Sequence, residues 1–406
     1  MAKTKTTTKT SARKTPILRF AHPFFTTTPP EARTPVPGVG KQLLNYIQGN
    51  LQPIPAAKRT PTMTLADVIG AQGETDVANS GSISFHAVGD TGKGANSPQG
   101  AVAEAMATDF NISAPASSPA FFFHLGDVIY GPNKDVGYRQ EFYEPYVHYP
   151  GKIIAIPGNH DGETFPKTDP TTCKAFQANF CAPSQSVPPI AGTIFRQTMN
   201  QPAVYWLLDA PYVQIVGLYS NAAENPGFIS GTIPGQAQKT WLLATLKALA
   251  QQRKSGPRKA LVVATHHPPF SSGGHSGSTQ MLAEIDGVCQ QAGIMPDLFL
   301  SGHAHSYQRY TRQPAAHAGL QIPYIVAGTG GINDQVIIPA TGQVSGDHTF
   351  VKSLQGYGYL LVKVAGAADK KTATTLTVTM YQVDPTSQKK SQYDQVTVTL
   401  ATGKVH

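Results

Sequence analysis

The feature that most constrains this chain is a series of short apolar runs, each followed by glycine or polar residues. They are Ile83–Val88, Phe121–Leu125, Ile153–Ile156, Val213–Leu218, Leu261–Ala264, Leu298–Leu300, Tyr324–Ala327 and Tyr359–Val364. Runs this short, apolar throughout and bounded by turn residues, read as strands buried on both faces. Helical patterns lie between several of them. The clearest is Gln236 to Gln252, where Trp241, Leu242, Leu246 and Leu249 share a face. It stops before Ser255-Gly256-Pro257. Near the C-terminus, Thr374–Val383 and Val396–Leu400 alternate polar with apolar residues around Asp384-Pro385. That pattern predicts a hairpin at the margin of a sheet. Strands alternating with helices imply a layered α/β core. Ligands in such folds gather in the loops beyond the strand C-terminal ends.

With 406 residues and 40% apolar content, the chain can bury one large core. The net charge of +8 suggests a polyanionic partner, but its distribution does not. Residues 1–41 hold eight cationic side chains against Glu31 alone, so nearly all of the excess lies there. The expected organisation is a basic Thr/Pro-rich disordered tail at 1–40, a Pro-containing extension at 41–81 and a single body at 82–400. Nucleic acid is then at most a weak partner, held through the tail. The stretch Pro16 to Phe25 is interrupted by Arg19 and His22 and does not read as a secretory signal. Cytoplasmic residence is therefore the default expectation, with export as the alternative. No run reaches transmembrane length. Cys173, Cys181 and Cys289 are too few for a disulfide framework. Cys173 and Cys181 could pair within one loop, but free thiols are the preferred reading.

Five strings follow five of the strands. They are Gly89-Asp90-Thr91-Gly92, Gly126-Asp127-Val128-Ile129-Tyr130, Gly158-Asn159-His160-Asp161, Val263-Ala264-Thr265-His266 and Gly302-His303-Ala304-His305. A Gly-Asp pair after a strand is by itself an ordinary turn. A lone histidine beside a strand is by itself an ordinary hydrogen-bonded core residue. His303-Ala304-His305 says more, because imidazole is a favoured ligand of transition ions. Five such strings in one chain, all at strand ends, point to metal.

The order Asp, Asp, Asn-His, His, His-x-His resembles the metallophosphoesterase superfamily over about Ser82 to Val364. Gly92 stands where many members carry a ligand histidine, and Tyr130 follows Asp127 by three. Gly-Asp-x-Gly with Gly-Asp-x-x-Tyr resembles the purple acid phosphatases, as do Gly302–Arg309 and Val326–Gly331. The resemblance implies an α/β fold, a layered β-sandwich of mixed sheets flanked by helices, with 82–400 as the catalytic domain. It implies one ion held by Asp90, Asp127, Tyr130 and His305, and a second held by Asp127, Asn159, His266 and His303. The first donor set, hard and anionic, suits Fe(III). The second suits Zn(II), Fe(II) or Mn(II). His160 and His275 become the substrate-facing acid or phosphate-binding residues.

The expected activity is hydrolysis of small phosphate monoesters by a metal-held hydroxide, an acid phosphatase. Phosphodiester or nucleotide hydrolysis at the same site is the enzymatic alternative, since surrounding loops set substrate class. A non-enzymatic phosphate-binding protein tethered by its basic tail is the alternative of a different kind. His267 follows His266 on an extended chain and points the other way, so His266 is the expected ligand. His86 and His124 are expected to pack in the core, and Asp161 to cap its loop. Tyr307 and Arg309 either line the site or support the His303 loop. The plant-type enzymes of the resembled family carry a β-sandwich before the first motif. About 80 Pro-rich residues stand here instead. Oligomeric state is not legible.

Overall fold

The computed structural model describes residues 51–406, apart from 112, 132, 133, 166 and 168. The apolar runs form strands that fall into two mixed sheets. The first sheet holds β2 (Ser82–Val88), β3 (Phe121–His124), β4 (Lys152–Ala155), β13 (Tyr357–Gly366), β14 (Ala373–Val383), β15 (Lys390–Thr399) and β16 (Lys404–Val405), in the order β16-β15-β14-β13-β2-β3-β4. β2, β3 and β4 run parallel, and β13 joins β2 antiparallel. The second sheet holds β1 (Thr62–Thr64), β5 (Trp206–Asp209), β6 (Val213–Leu218), β7 (Ala260–Thr265), β8 (Leu298–Ser301), β9 (Tyr307–Arg312), β10 (Ile322–Ala327), β11 (Val344–Ser345) and β12 (His348–Leu354). Its order is β1-β5-β6-β7-β8-β10-β9-β12-β11, with β6, β7, β8 and β10 parallel.

The continuous apolar runs are explained by burial on both faces. Along β7, Val262 and Ala264 enter the core between the sheets, where they join Phe85, Phe123, Trp206 and Leu360. Leu261 and Val263 point the other way, into a second cluster under α6 (Ala237–Ser255) and α7 (Thr279–Ala292). A period of two therefore feeds two separate apolar layers. Leu242, Leu246 and Leu249 of α6 are buried in that outer layer, and the helix ends at Ser255 ahead of Gly256. The expected hairpin is β14–β15, next to the margin strand β16.

Part of the N-terminal extension is fastened to this body. Thr62 pairs with Leu207, and Met63 with Leu65, Val68 and Val77 of α1 (Leu65–Ser80) is buried. Lys58 Nζ donates to the Cys181 carbonyl at 2.6 Å. The basic tail at 1–40 and the first part of the extension lie outside the described residues. Cys173, Cys181 and Cys289 are buried free thiols.

Tyr307 and Arg309 tie the two sheets together. Both donate from β9 to Asp394 on β15, Tyr307 Oη at 2.7 Å and Arg309 Nε at 2.7 Å. Among the described residues no helix is long and apolar enough to cross a membrane.

Candidate metal centre

Three parallel strands of the first sheet and two of the second end on one rim. β2 delivers Asp90, β3 delivers Asp127 and Tyr130, β4 delivers Asn159 and His160, β7 delivers His266, and β8 delivers His303 and His305. The loops are hydrogen-bonded across the rim. Asp90 N–H donates to Gly126 O at 3.0 Å, and Gly302 N–H to His266 O at 2.9 Å. Asp90, Asp127 and His303 sit at φ values of 60°, 53° and 69°. Such left-handed positions cost non-glycine residues about 1–3 kcal/mol each and concentrate at functional sites. Gly126 has a reason for being glycine: at φ +97° a Cβ would stand 2.7 Å from both Gly158 N and His266 Nδ1. A Cβ on Gly92 would overlap the Tyr130 ring. The missing side chain at 92 is the space that Tyr130 fills.

The seven expected ligands converge. Asp127 Oδ2 is 3.3 Å from His266 Nε2, and Asp90 Oδ1 is 3.6 Å from His305 Nε2. Asn159 Oδ1 is 3.1 Å from His266 Nε2. The rings of His266 and His303 are 5.1 Å apart. Ligand atoms of Asp127, His266 and His303 all lie within 4.8 Å of one another. His266 Nδ1 meets the Leu125 carbonyl at 2.9 Å, and His305 Nδ1 meets the Asn333 carbonyl at 3.0 Å. Those bonds place the Nδ1 protons and turn both Nε2 atoms toward the carboxylates. His267, by contrast, spends Nδ1 on Ser220 Oγ and Nε2 on the Ala223 carbonyl, so neither nitrogen faces the cluster.

The polar atoms here are buried and ill-satisfied. Asp90 Oδ1, Asp127 Oδ2, Tyr130 Oη and His303 Nε2 are all buried without a hydrogen bond. Four such orphans at one point are abnormal for a folded protein unless something else binds there. Burial pushes the Asp90 carboxyl up to about 7, even with His266 beside it. Asp127 also suffers burial, but His266 and His160 hold it below the usual carboxylate range. Burial alone would lower His266, yet Asp127 and Asp90 raise it to about 9. Burial, with Asp127 and Asp90 close by, raises the Tyr130 hydroxyl well above 10. The cluster is thus a cage of acceptors that asks for positive charge. Carboxylates, imidazoles, an amide oxygen and a phenol are a donor set that divalent and trivalent ions accept.

His160 flanks the cluster with its ring 4.4 Å from that of Tyr130. Its N–H donates to Asp127 Oδ1 at 2.9 Å, and its Nδ1–H to Glu163 Oε2 at 3.1 Å. Burial opposes its charge, but Asp127 and Glu163 raise it to about 10. His275 stacks on His303 at 4.1 Å. Asp161 Oδ2 accepts from Gly158 N–H and Val128 N–H and so clamps two of the loops. His86 lies away from the cluster, bonded to Tyr149 and Asp109, while His124 stands directly behind it, bonded to Thr91 and accepting from Gly126 N–H.

Sequence reading missed five residues around the site. Glu141 Oε2 accepts from Tyr130 N–H at 2.8 Å. Glu163 holds His160. Glu224 meets Asn159 Nδ2 at 3.3 Å. Gln335 Oε1 accepts from His305 N–H at 3.1 Å. Lys134 Nζ donates to the carbonyls of His160, Asp161 and Glu163 at 2.7, 3.1 and 2.7 Å. Glu163 alone carried a signal, its i,i+3 spacing from His160. The others come from loops with no motif, and only folding brings them near.

No curated protein matches the sequence significantly. A structure described as that of PhoD superposes with a TM-score of 0.51 at 12% identity, over 80% of this chain and 71% of that one. A structure described as GAP50, the anchor in the inner membrane complex of Plasmodium, gives a TM-score of 0.48 at 12% identity, over 77% of this chain and 89% of that one. At 12% identity the PhoD likeness concerns the fold alone. A calcineurin-like phosphoesterase family model matches residues 83–307, a span that contains all seven clustered residues. This chain therefore belongs to the calcineurin-like phosphoesterases, metal-dependent phosphoester hydrolases that use a binuclear metal centre.

Proposed function

We propose that the protein is an acid phosphatase of the purple type, which hydrolyses small phosphate monoesters at a mixed-metal pair. The observation that carries this reading is the complementarity of Gly92 and Tyr130. The position that would place a histidine in other members is empty of side chain, and the Tyr130 ring occupies the space with its hydroxyl buried and unbonded. A phenol hemmed in by Asp90 and Asp127 cannot ionise unless a strong cation adjoins it. A trivalent ion meets that need best.

Asp90, Asp127, Tyr130 and His305 would hold Fe(III). Asp127, Asn159, His266 and His303 would hold a divalent ion, Zn, Fe or Mn. When bound, such a pair lowers the pKa of water to supply the nucleophile and screens the phosphoryl charge. The chain's own residues do the rest. Asp127, fixed through the His160 N–H, lies between the two donor sets. Glu163 keeps the His160 Nδ1 proton in place, which leaves Nε2 to pass a proton to the departing alkoxide. His275, packed on His303, adds an imidazole beside the phosphoryl position. Tyr130 packs against His160 with the two rings tilted by 46° and restricts its ring.

The test is a visible spectrum and metal count on protein purified without chelator, together with turnover of p-nitrophenyl phosphate and its bis ester. A purple band, iron near one per chain and preference for the monoester are expected. Preference for the diester would overturn the substrate assignment. A colourless, iron-free protein of full activity would overturn the Fe(III) assignment. Absence of hydrolysis with every metal loaded would overturn the enzyme reading.

A further inference from the structure

The geometry points to Glu224 as a positioning residue that sets the Asn159 amide for metal and joins it to the His275 imidazole. This rests on the two-metal reading above. Glu224 lies in the loop after β6, with its side chain 19% exposed. Its Oε2 receives Asn159 Nδ2 at 3.3 Å, and its Oε1 lies 3.4 Å from His275 Nδ1.

A carboxylate only accepts. The NH2 end of Asn159 must therefore face Glu224, and the Oδ1 end must face the cluster, where it stands 3.1 Å from His266 Nε2. Turned over, the same amide would aim two N–H groups at the place where a cation belongs. A neutral partner at 224 would not enforce the choice. The charge-assisted bond also polarises the amide, which makes Oδ1 a better donor to an ion.

The second oxygen extends the control. His275 Nε2 accepts from Gln335 Nε2 at 3.1 Å, and its Nδ1 edge faces Glu224 Oε1 at 3.4 Å. Asn225 Nδ2 stands 3.3 Å from the same Nδ1, and its Oδ1 accepts from Ser276 Oγ. Gln335 Oε1 in turn accepts from His305 N–H. One chain of contacts, Asn159–Glu224–His275–Gln335–His305, links the two donor sets through a substrate-side histidine. Glu224 is its anionic member and fixes the direction of the Asn159 bond in it.

The test uses the full chain loaded with Zn(II), dialysed against graded dipicolinate, with zinc counted per chain. Wild type is expected to hold two ions. Glu224→Ala is expected to lose one of the two at an effective affinity lower by about 10- to 100-fold. Asn159→Asp alone should also lose it, because two carboxylates then oppose each other. Combining Asn159→Asp with Glu224→Gln restores a donor–acceptor pair in the reverse sense and should recover at least about tenfold over Asn159→Asp. A side chain that only fills space would give no such recovery. Glu104→Ala, which removes a partner of exposed His148, should leave zinc retention unchanged.

Equal retention by wild type and Glu224→Ala would overturn the inference, as would a double variant no better than Asn159→Asp. A third zinc in wild type that Glu224→Ala loses would make Glu224 a ligand and also overturn it. If Glu224→Ala does not fold, the Glu224→Gln arm still decides. Wild type that holds fewer than two ions would instead overturn the two-metal reading itself, which separates the two failures.

Discussion

Tyr130 shows how one residue can be unfavourable for the fold and useful for the site. Its hydroxyl is buried among carboxylates and makes no well-formed hydrogen bond, although Asp127 lies close by. Leaving such a group unsatisfied costs about 1–3 kcal/mol. Tyr130→Phe should therefore leave the metal-free protein as stable or about 1 kcal/mol more stable by urea unfolding, while the purple band and iron retention are lost. A variant that keeps its colour would remove Tyr130 from the ligand set. Gly92→Ala tests the same pair from the other side. The new methyl overlaps the Tyr130 ring, so a loss of about 1–3 kcal/mol is expected, together with weaker iron binding. Unchanged iron content in that variant would mean that the ring position is not critical.

Elements act here mainly by where they stop. β2, β3, β4, β7 and β8 are short, and each ends at the rim with a glycine or threonine turn that presents the next side chain. The four-residue helical turn α4 (Asn159–Gly162), which follows α2 (Pro98–Ala107) and α3 (Lys134–Gly137), is too short to hold itself. Lys134, 3% exposed, caps it by giving its ammonium protons to three carbonyls. Lys134→Met should cost about 3 kcal/mol and speed amide exchange over residues 160–165, because three carbonyls lose their donor. Normal stability and protection in that variant would show the turn to be self-supporting. This capping was not legible in the sequence. Nothing in the neighbours of Lys134 announces that it will sit beside His160, 26 residues further along the chain.

The whole molecule stores acid sensitivity in buried histidines outside the expected ligand set. Burial lowers His86 below 6.5 despite the opposing bond to Asp109, and burial lowers His124 to about 3. Both imidazoles are neutral in the fold and free to protonate when unfolded. Their contribution is complete above pH 6.5 and falls as pH drops, for His124 down to about 3. Asp109 is opposed by burial but held down to about 2 by His86 and Lys390, so its contribution is present above about 3.8 and lost on approach to 2. In urea unfolding each of these two rings should therefore subtract up to about 1.4 kcal/mol per pH unit between pH 6.5 and 4, against an opposite gain from the raised carboxyls of Asp90, Glu141 and Asp161. A fall over that range that is as steep in His86→Phe as in wild type would contradict the burial of that ring.

By itself the sequence determined the layered α/β architecture and the five strings that end the strands. Both follow from local rules: apolar runs of strand length feed two buried layers, and Gly-Asp or Gly-His turns follow each run. It also determined the seven residues that cluster, because they lie within those strings. Only the tertiary structure decided which atoms face inward. His266 is turned toward the cluster and His267 away by bonds to Leu125, Ser220 and Ala223, all distant in sequence. Tyr307 and Arg309, undecided in sequence, became ties between sheets because Asp394 stands opposite them. Glu141, Lys134, Glu224 and Gln335 entered for the same reason. Hydrogen bonding and charge act across a few ångströms of space, and the order of residues along the chain carries no record of that distance.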